Sequence, residues 1–347
     1  MEQKIKALLA RIVHPESGRN IVESGMVEHI DAGEGRVTVT LRFEKARDPF
    51  ALKIKRQVEE AIARELSLDR EHVAVIVREA APKAAPAASQ HTFTGGIGKV
   101  LAVASGKGGV GKSTVSANLA VALSKLGYSV GLVDLDIYGP SMSLMFGTKE
   151  RPGANENDEF LPVTAHGVKL LSMGLLINES DPVAVRGPLA TRYVQQFLRN
   201  VAWGDVDFLI LDLPPGTGDI QLTIVQTAEL DGVVVVTTPQ EVALIDARKA
   251  IGLFERVETP ILGVIENMSY FQCPSDGKIY HIFGEGGGER EAAKLGVPLL
   301  GKIPLDISTR SGGDEGRPVA LEDPGQNPVS AAFRQVAEQC ARVVLDR

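Results

Sequence analysis

The chain of 347 residues has only two cysteines, Cys273 and Cys340, a single tryptophan and 5% aromatic residues. Two thiols exclude a disulfide framework and fit a reducing compartment. An excess of positive charge is also missing: 37 basic residues against 44 acidic ones leave a net charge of −7. Such a chain has no general field for drawing in nucleic acid or an anionic membrane, so neither is expected as a partner and any polyanion site must be local. A mean hydropathy of +0.03 argues against long membrane-spanning or disordered stretches. The opening Met1-Glu2-Gln3-Lys4-Ile5-Lys6 lacks the apolar core of a secretory leader. The expectation is a cytoplasmic globular protein.

What is present is strong periodicity in two blocks. Ile5, Leu8, Leu9 and Ile12 recur at helical spacing before His14-Pro15; Met26 to Ile30 and Arg36 to Phe43 flank the turn Asp31 to Gly35 as a hairpin. Asp48-Pro49 opens a helix with Phe50, Leu52, Ile54, Val58, Ile62 and Leu66 on its apolar face, and Val73 to Val77 closes a small α+β domain over residues 1–78. Residues 79–96 turn to alanine, proline, serine and glycine, a composition that buries little apolar area and reads as a flexible linker. Over residues 97–347 apolar runs alternate with longer helical patterns: Val100 to Ala104, Val130 to Val133, Val168 to Leu171, Phe208 to Leu211, Val233 to Val236, Ile261 to Ile265 and Leu299 to Ile303. Strands apolar on both faces are strands covered on both faces, so the fold class is α/β, doubly wound, with a mainly parallel sheet.

Gly106-Lys107-Gly108-Gly109-Val110-Gly111-Lys112-Ser113 fits G-x-x-x-x-G-K-[ST] between a strand and a helix, the setting in which this spacing makes a P-loop. The glycines let backbone N–H groups turn around a phosphate, Lys112 reaches the β- and γ-phosphates of ATP, and Ser113 holds Mg²⁺. Two acidic segments end predicted strands where α/β sheets bind ligands: Asp134-Leu135-Asp136 and Asp212-Leu213-Pro214-Pro215-Gly216-Thr217-Gly218-Asp219. Alone, such an aspartate is usually a cap; beside a P-loop, Asp212 reads as the carboxylate acting on Mg²⁺ through water, and Asp136 as the group orienting the attacking water, also near Mg²⁺ through water. Gly216 to Asp219 reads as a switch sensing the γ-phosphate.

With Lys107 in the second position of its cradle, the chain resembles the deviant Walker A group, and with Asp134 to Ser141, Leu213 to Asp219 and Asn267-Met268-Ser269-Tyr270 it resembles the Mrp/ApbC family of iron–sulfur cluster carrier ATPases, related to MinD, ParA and the nitrogenase iron protein. The likeness covers nearly the whole chain, residues 1–78 being similar to a module of iron–sulfur assembly factors. It implies a homodimer with ATP at its seam, Lys107 serving the partner's nucleotide, Thr114 near the α-phosphate, and Asn267 on the adenine edge. It also implies iron–sulfur assembly proteins or apo-protein recipients as partners, and a [4Fe–4S] cluster bridging two subunits through paired cysteines. Here the pair is broken: Cys273-Pro274-Ser275-Asp276 puts a carboxylate, a harder donor than thiolate, in the second cysteine's place. Cys273 is therefore read either as a ligand or as an ordinary free thiol, with His281 as a second candidate ligand; Cys340 shares a helical face with Val329, Phe333, Val336 and Val343 and belongs to the core.

Three functions follow: an ATP-hydrolysing iron–sulfur carrier; an ATP-dependent scaffold or chaperone that holds no cluster; and a MinD- or ParA-like positioning ATPase, which calls for a basic surface for DNA or a basic amphipathic C-terminal helix for the membrane, the latter supplied only weakly by residues 328–347.

Overall fold

The computed structural model describes residues 2–15, 18–33, 36–43, 50–66, 68, 72–79, 96–176 and 187–346. The chain divides into two compact units, Met1–Gln90 and His91–Arg347.

In the first unit α1 (Glu2–Leu9), β1 (Val27–Gly33), β2 (Arg36–Phe43), α2 (Ala51–Leu66) and β3 (Val73–Glu79) follow one another. β1 pairs antiparallel with β2, and β3 lies parallel to β2 on its other side. A parallel return needs a crossover, which α2 provides. Ile30, Val39 and Val75 line one sheet face and share a core with Ile5 and Leu9 of α1 and with Ile54, Val58 and Ile62 of α2. The first helix stops at Leu9, short of the expected Ile12, because Arg11 and Ile12 donate only three residues back, to Leu8 and Leu9. That tightening keeps Ile12 packed on the core without continuing the helix. The proposed turn residues 34–35, the Asp48-Pro49 helix start and residues 80–95 of the proposed linker lie outside the described residues.

The second unit runs β4 (Ile97–Ala104), α3 (Lys112–Lys125), β5 (Val130–Asp134), α4 (Met142–Met145), the short strands β6 (Gly153–Ala154), β7 (Phe160–Leu161) and β8 (Val163–Ala165), then β9 (Val168–Ser172), α5 (Gly187–Arg199), β10 (Val206–Asp212), α6 (Asp219–Thr227), β11 (Gly232–Thr237), α7 (Glu241–Arg256), β12 (Ile261–Glu266), β13 (Phe271–Gln272), β14 (Ile279–Tyr280), α8 (Gly287–Leu295), β15 (Leu299–Lys302), α9 (Ile307–Asp314) and α10 (Pro328–Leu345). Eight strands form one sheet in the order β15-β12-β11-β4-β10-β5-β9-β8, parallel except for β8 at its edge.

Why the strands are apolar throughout is visible in their alternation. Leu101, Val103, Phe208, Ile210, Val234 and Val236 enter the core beneath α3 and α10, whereas Val100, Ala102, Leu209, Leu211, Val233 and Val235 enter the core shared with α5, α6 and α7. From β4 the chain goes first to one side, to β5 and β9, and later to the other, to β11, β12 and β15. The crevice of such a sheet opens over the carboxyl ends of the strands at that switch point, here at the end of β4.

α10 uses up its apolar face inside the unit: Phe333, Val336, Ala337, Cys340, Ala341 and Val344 are buried in the core with α3. Burial pushes the Cys340 thiol up to about 12, as expected of a core cysteine. No helix among the described residues is long and apolar enough to cross a membrane.

Candidate nucleotide site and cysteine hairpin

At the end of β4, residues 105–111 wrap into the start of α3. Gly109 and Gly111 have φ of 80° and 79°, left-handed values that a glycine adopts without strain. Gly111 is the residue before α3 and has no side chain to cap it, leaving the first amides of a fourteen-residue helix open to an anion. Gly106 is pressed against α7: a Cβ there would collide with the backbone carbonyl of Asp246 and the backbone nitrogen of Ala247.

The carboxylate of Asp212, fully buried at the end of β10, gathers three groups of α3. Lys112 Nζ pairs with Oδ1 at 2.7 Å, Ser116 Oγ donates to Oδ1 at 2.6 Å, and Ser113 Oγ donates to Oδ2 at 2.8 Å. Lys112 Nζ also lies 3.2 Å from Ser113 Oγ. An ammonium, a hydroxyl and a carboxylate thus meet at the mouth of the loop. Ser116 lies outside the sequence motif; its place one helical turn after Ser113 is the signal that could have found it.

β10 and β5 pair so that Asp134 stands directly beside Asp212. Asp134 is also fully buried; its Oδ1 accepts from the amide of Asp136 at 3.1 Å, and its Oδ2 accepts from the amides of Ser141 and Met142 at 3.1 and 3.3 Å and from Ser172 Oγ at 2.9 Å. Burial, then the neighbouring Asp212 charge, push the Asp134 carboxyl up to about 7. Asp136, half-buried, instead accepts from the amide of Gly139 at 3.2 Å, closing its own loop. Of the two carboxylates in this segment, the structure puts Asp134 beside Asp212, a placement that strand register decides and local sequence does not.

Asn267, at the end of β12, reaches across to the loop, its Nδ2 donating to the Val110 carbonyl at 2.9 Å. Next to it the buried Glu266 accepts from Ser269 Oγ and from the amide of Gly288 at the start of α8. Lys107 is half-buried and makes no ion pair among the described residues. Thr114 follows Ser113 in the first turn of α3, and its carbonyl accepts from Asn118 Nδ2 at 2.9 Å.

Cys273 begins the turn between β13 and β14, whose ends are joined by Cys273 N to Lys278 O at 2.9 Å and Gly277 N to Cys273 O at 2.8 Å. Its Sγ lies 3.0 Å from Ser275 Oγ, and hydrogen bonding, from Ser275 first, holds the thiol below the usual cysteine range. Asp276 is held below the usual carboxylate range chiefly by the Lys278 amide, 3.0 Å from its Oδ1. His281 faces Glu285 at 3.6 Å. Among the described residues, no three His, Cys, Asp or Glu side chains of a single subunit gather where a metal ion could be held. The hairpin exposes Ile279 and Tyr280, and Ile282 just beyond its second strand is exposed as well.

Sheet order, glycine loop and carboxylate cluster together define a P-loop nucleotide-binding protein of the doubly wound class. Residues 96–341 match the family model described as NUBPL iron-transfer P-loop NTPase, and residues 2–75 match the one described as iron-sulfur cluster assembly protein. The chain belongs to the NUBPL iron-transfer P-loop NTPase family. It is 41% identical over 349 residues to an iron-sulfur cluster carrier protein of Deinococcus radiodurans, covering 98% of this chain and 95% of that one. A second such carrier, from Aquifex aeolicus, is 49% identical over 251 residues, 72% of this chain and 69% of the relative. Among solved structures, a nucleotide-binding protein from Archaeoglobus fulgidus in complex with ADP superposes with a TM-score of 0.59 at 40% identity, over 65% of this chain and 90% of that chain.

Proposed function

We propose that this protein is a cytoplasmic, Mg²⁺-dependent ATPase that acts as a homodimer and carries iron–sulfur clusters to apo-protein recipients. The observation that carries the ATPase reading is the meeting of Lys112, Ser113 and Asp212 at the end of the glycine loop. Lys112 has a short move from the Asp212 carboxylate to a β/γ-phosphate, exchanging one anion for another. Ser113 and Asp212 offer the hard oxygen donors that suit Mg²⁺, one directly and one through water, with Asp136 as a further carboxylate through water. Bound there, Mg²⁺ supplies charge neutralisation on the phosphate oxygens. Asp136 orients the attacking water, Gly106 to Gly111 and Thr114 line the phosphates, and Asn267 reads the adenine edge. Lys107, with no ion pair of its own among the described residues, is left to serve the partner's nucleotide.

The cluster is cargo. The lowered thiol of Cys273 supports thiolate ligation, and a second copy is needed because one subunit offers one such thiol beside an apolar rim of Ile279, Tyr280 and Ile282. Asp276 favours a second reading, an ATP-dependent scaffold that holds no cluster, since a carboxylate suits cluster iron poorly. A MinD-like membrane role is disfavoured because the apolar face of α10 is already packed against α3.

One experiment separates these readings: phosphate release from MgATP, and transfer of an anaerobically reconstituted cluster to an apo-ferredoxin. Turnover with transfer supports the carrier, turnover without bound iron supports the scaffold, and no turnover rejects both.

A further inference from the structure

Gln221 sits in the first turn of α6 and is 1% exposed. Its Nε2 donates to the Pro214 carbonyl at 2.7 Å. Only the NH₂ end of a carboxamide donates, so the bond fixes which end is which. The other end, Oε1, is buried with no hydrogen-bond partner among the described residues. A buried amide oxygen without a partner costs the fold stability, and such an exception calls for an explanation.

The segment it holds is the one that leaves Asp212. The Leu213 amide donates to Val103 at 3.0 Å and the Gly216 amide to Ser105 at 3.1 Å, so the first half of the loop is tied to β4 and to the start of the glycine loop. Gly216, with φ of 95°, then turns the backbone, and Thr217 and Gly218 are exposed. Gln221 therefore grips the tied half of a loop whose other half, Thr217 and Gly218, is exposed at the entry to α6, and it carries an unused acceptor.

We propose that Gln221 is a positioning residue for hydrolysis, holding the 214–218 loop back through Pro214 and accepting a backbone N–H of Thr217 or Gly218 on Oε1 when the loop advances onto the γ-phosphate. The inference rests on the reading of this site as an ATPase. It assigns Gln221 no contact with nucleotide; it acts only through the loop.

The test compares wild type with Gln221→Met, which keeps the length of the side chain and removes both polar ends. Amide hydrogen exchange over residues 216–222 is followed with MgADP and with a slowly hydrolysed thio-analogue of MgATP, alongside kcat and ADP affinity. In wild type the analogue should slow exchange at Thr217 and Gly218 about tenfold relative to ADP. Gln221→Met should lose that difference and about fivefold in kcat, the worth of roughly one hydrogen bond, while ADP affinity stays within about twofold. Unchanged kcat in the variant, or equal exchange with both nucleotides in wild type, overturns the proposal. Should the variant not fold, the wild-type comparison decides alone. Failure of wild type to bind either nucleotide removes the ATP site itself, and this inference with it; binding of both with equal exchange removes only the inference.

Discussion

Asp134 and Asp212 stand side by side, one from each of two adjacent parallel strands, both fully buried and both at the carboxyl edge of the sheet. Lys112 is the cation that makes the pair tolerable, and its ammonium sits on Asp212. Asp134 is the member that resists ionisation, its carboxyl pushed up to about 7 by burial and by Asp212. A carboxyl with a raised pKa binds its proton more tightly folded than unfolded. Its contribution to stability is full below the ordinary carboxylate range and is lost as pH rises toward 7.

Asp134→Asn cannot ionise, so it should escape that loss. Measured by urea unfolding without nucleotide, the stability difference between variant and wild type should move in the variant's favour between about pH 5 and about pH 8. A difference that stays flat across this range would show that Asp134 does not titrate there.

Lys112→Ala removes both the charge proposed to meet the phosphates and the partner of a buried carboxylate. ATP affinity should fall by at least about 100-fold, near 2.8 kcal/mol, and the unfolding midpoint should drop as well. Near-normal ATP binding by calorimetry contradicts the phosphate-site assignment.

Lys107→Ala should behave differently. Lacking any described ion pair, Lys107 adds little to the fold, so ATP binding should change by no more than about threefold while phosphate release slows by about 10³-fold, the scale of a charge supplied across an interface. Unchanged turnover would remove its proposed role at a dimer seam.

Cys273→Ala, reconstituted anaerobically with iron and sulfide, should stay colourless where wild type turns brown. Asp276→Cys, which completes a thiol pair on each subunit, should retain more iron than wild type after desalting. Equal colour in wild type and Cys273→Ala places the metal elsewhere.

The rate of Cys273 alkylation should rise with pH around a midpoint below that of an ordinary cysteine, because Ser275 stabilises the thiolate. Ser275→Ala should move that midpoint up. A midpoint indifferent to the substitution means that Ser275 does not tune the thiol.

Much of this architecture was legible in the residues. The apolar runs of β4, β10, β11 and β12 announced strands covered on both faces, and the glycine spacing from Gly106 to Lys112 announced the loop between β4 and α3. Element ends differed by one to three residues, as Leu9 and Lys302 illustrate, because local bonding at each terminus decides them. The short antiparallel β8 and the β13–β14 hairpin escaped notice, since a few residues carry no period. The pairing of Asp134 with Asp212 was hidden for a different reason: it depends on β10 inserting between β4 and β5, and no local window contains that information.

The close approach of Gly106 to the backbone of Asp246 leaves no room for a Cβ between the glycine loop, the proposed phosphate cradle, and α7. Further along α7, Arg248 forms a two-pronged ion pair with Glu291 of α8, and α8 in turn presents its Gly288 amide to Glu266 beside Asn267. Any swelling of the cradle must push a whole helix, and that helix is bolted to the next. A side chain introduced at 106 would therefore be felt as a dislocation travelling back toward Asn267, where the backbone leaves for the cysteine hairpin.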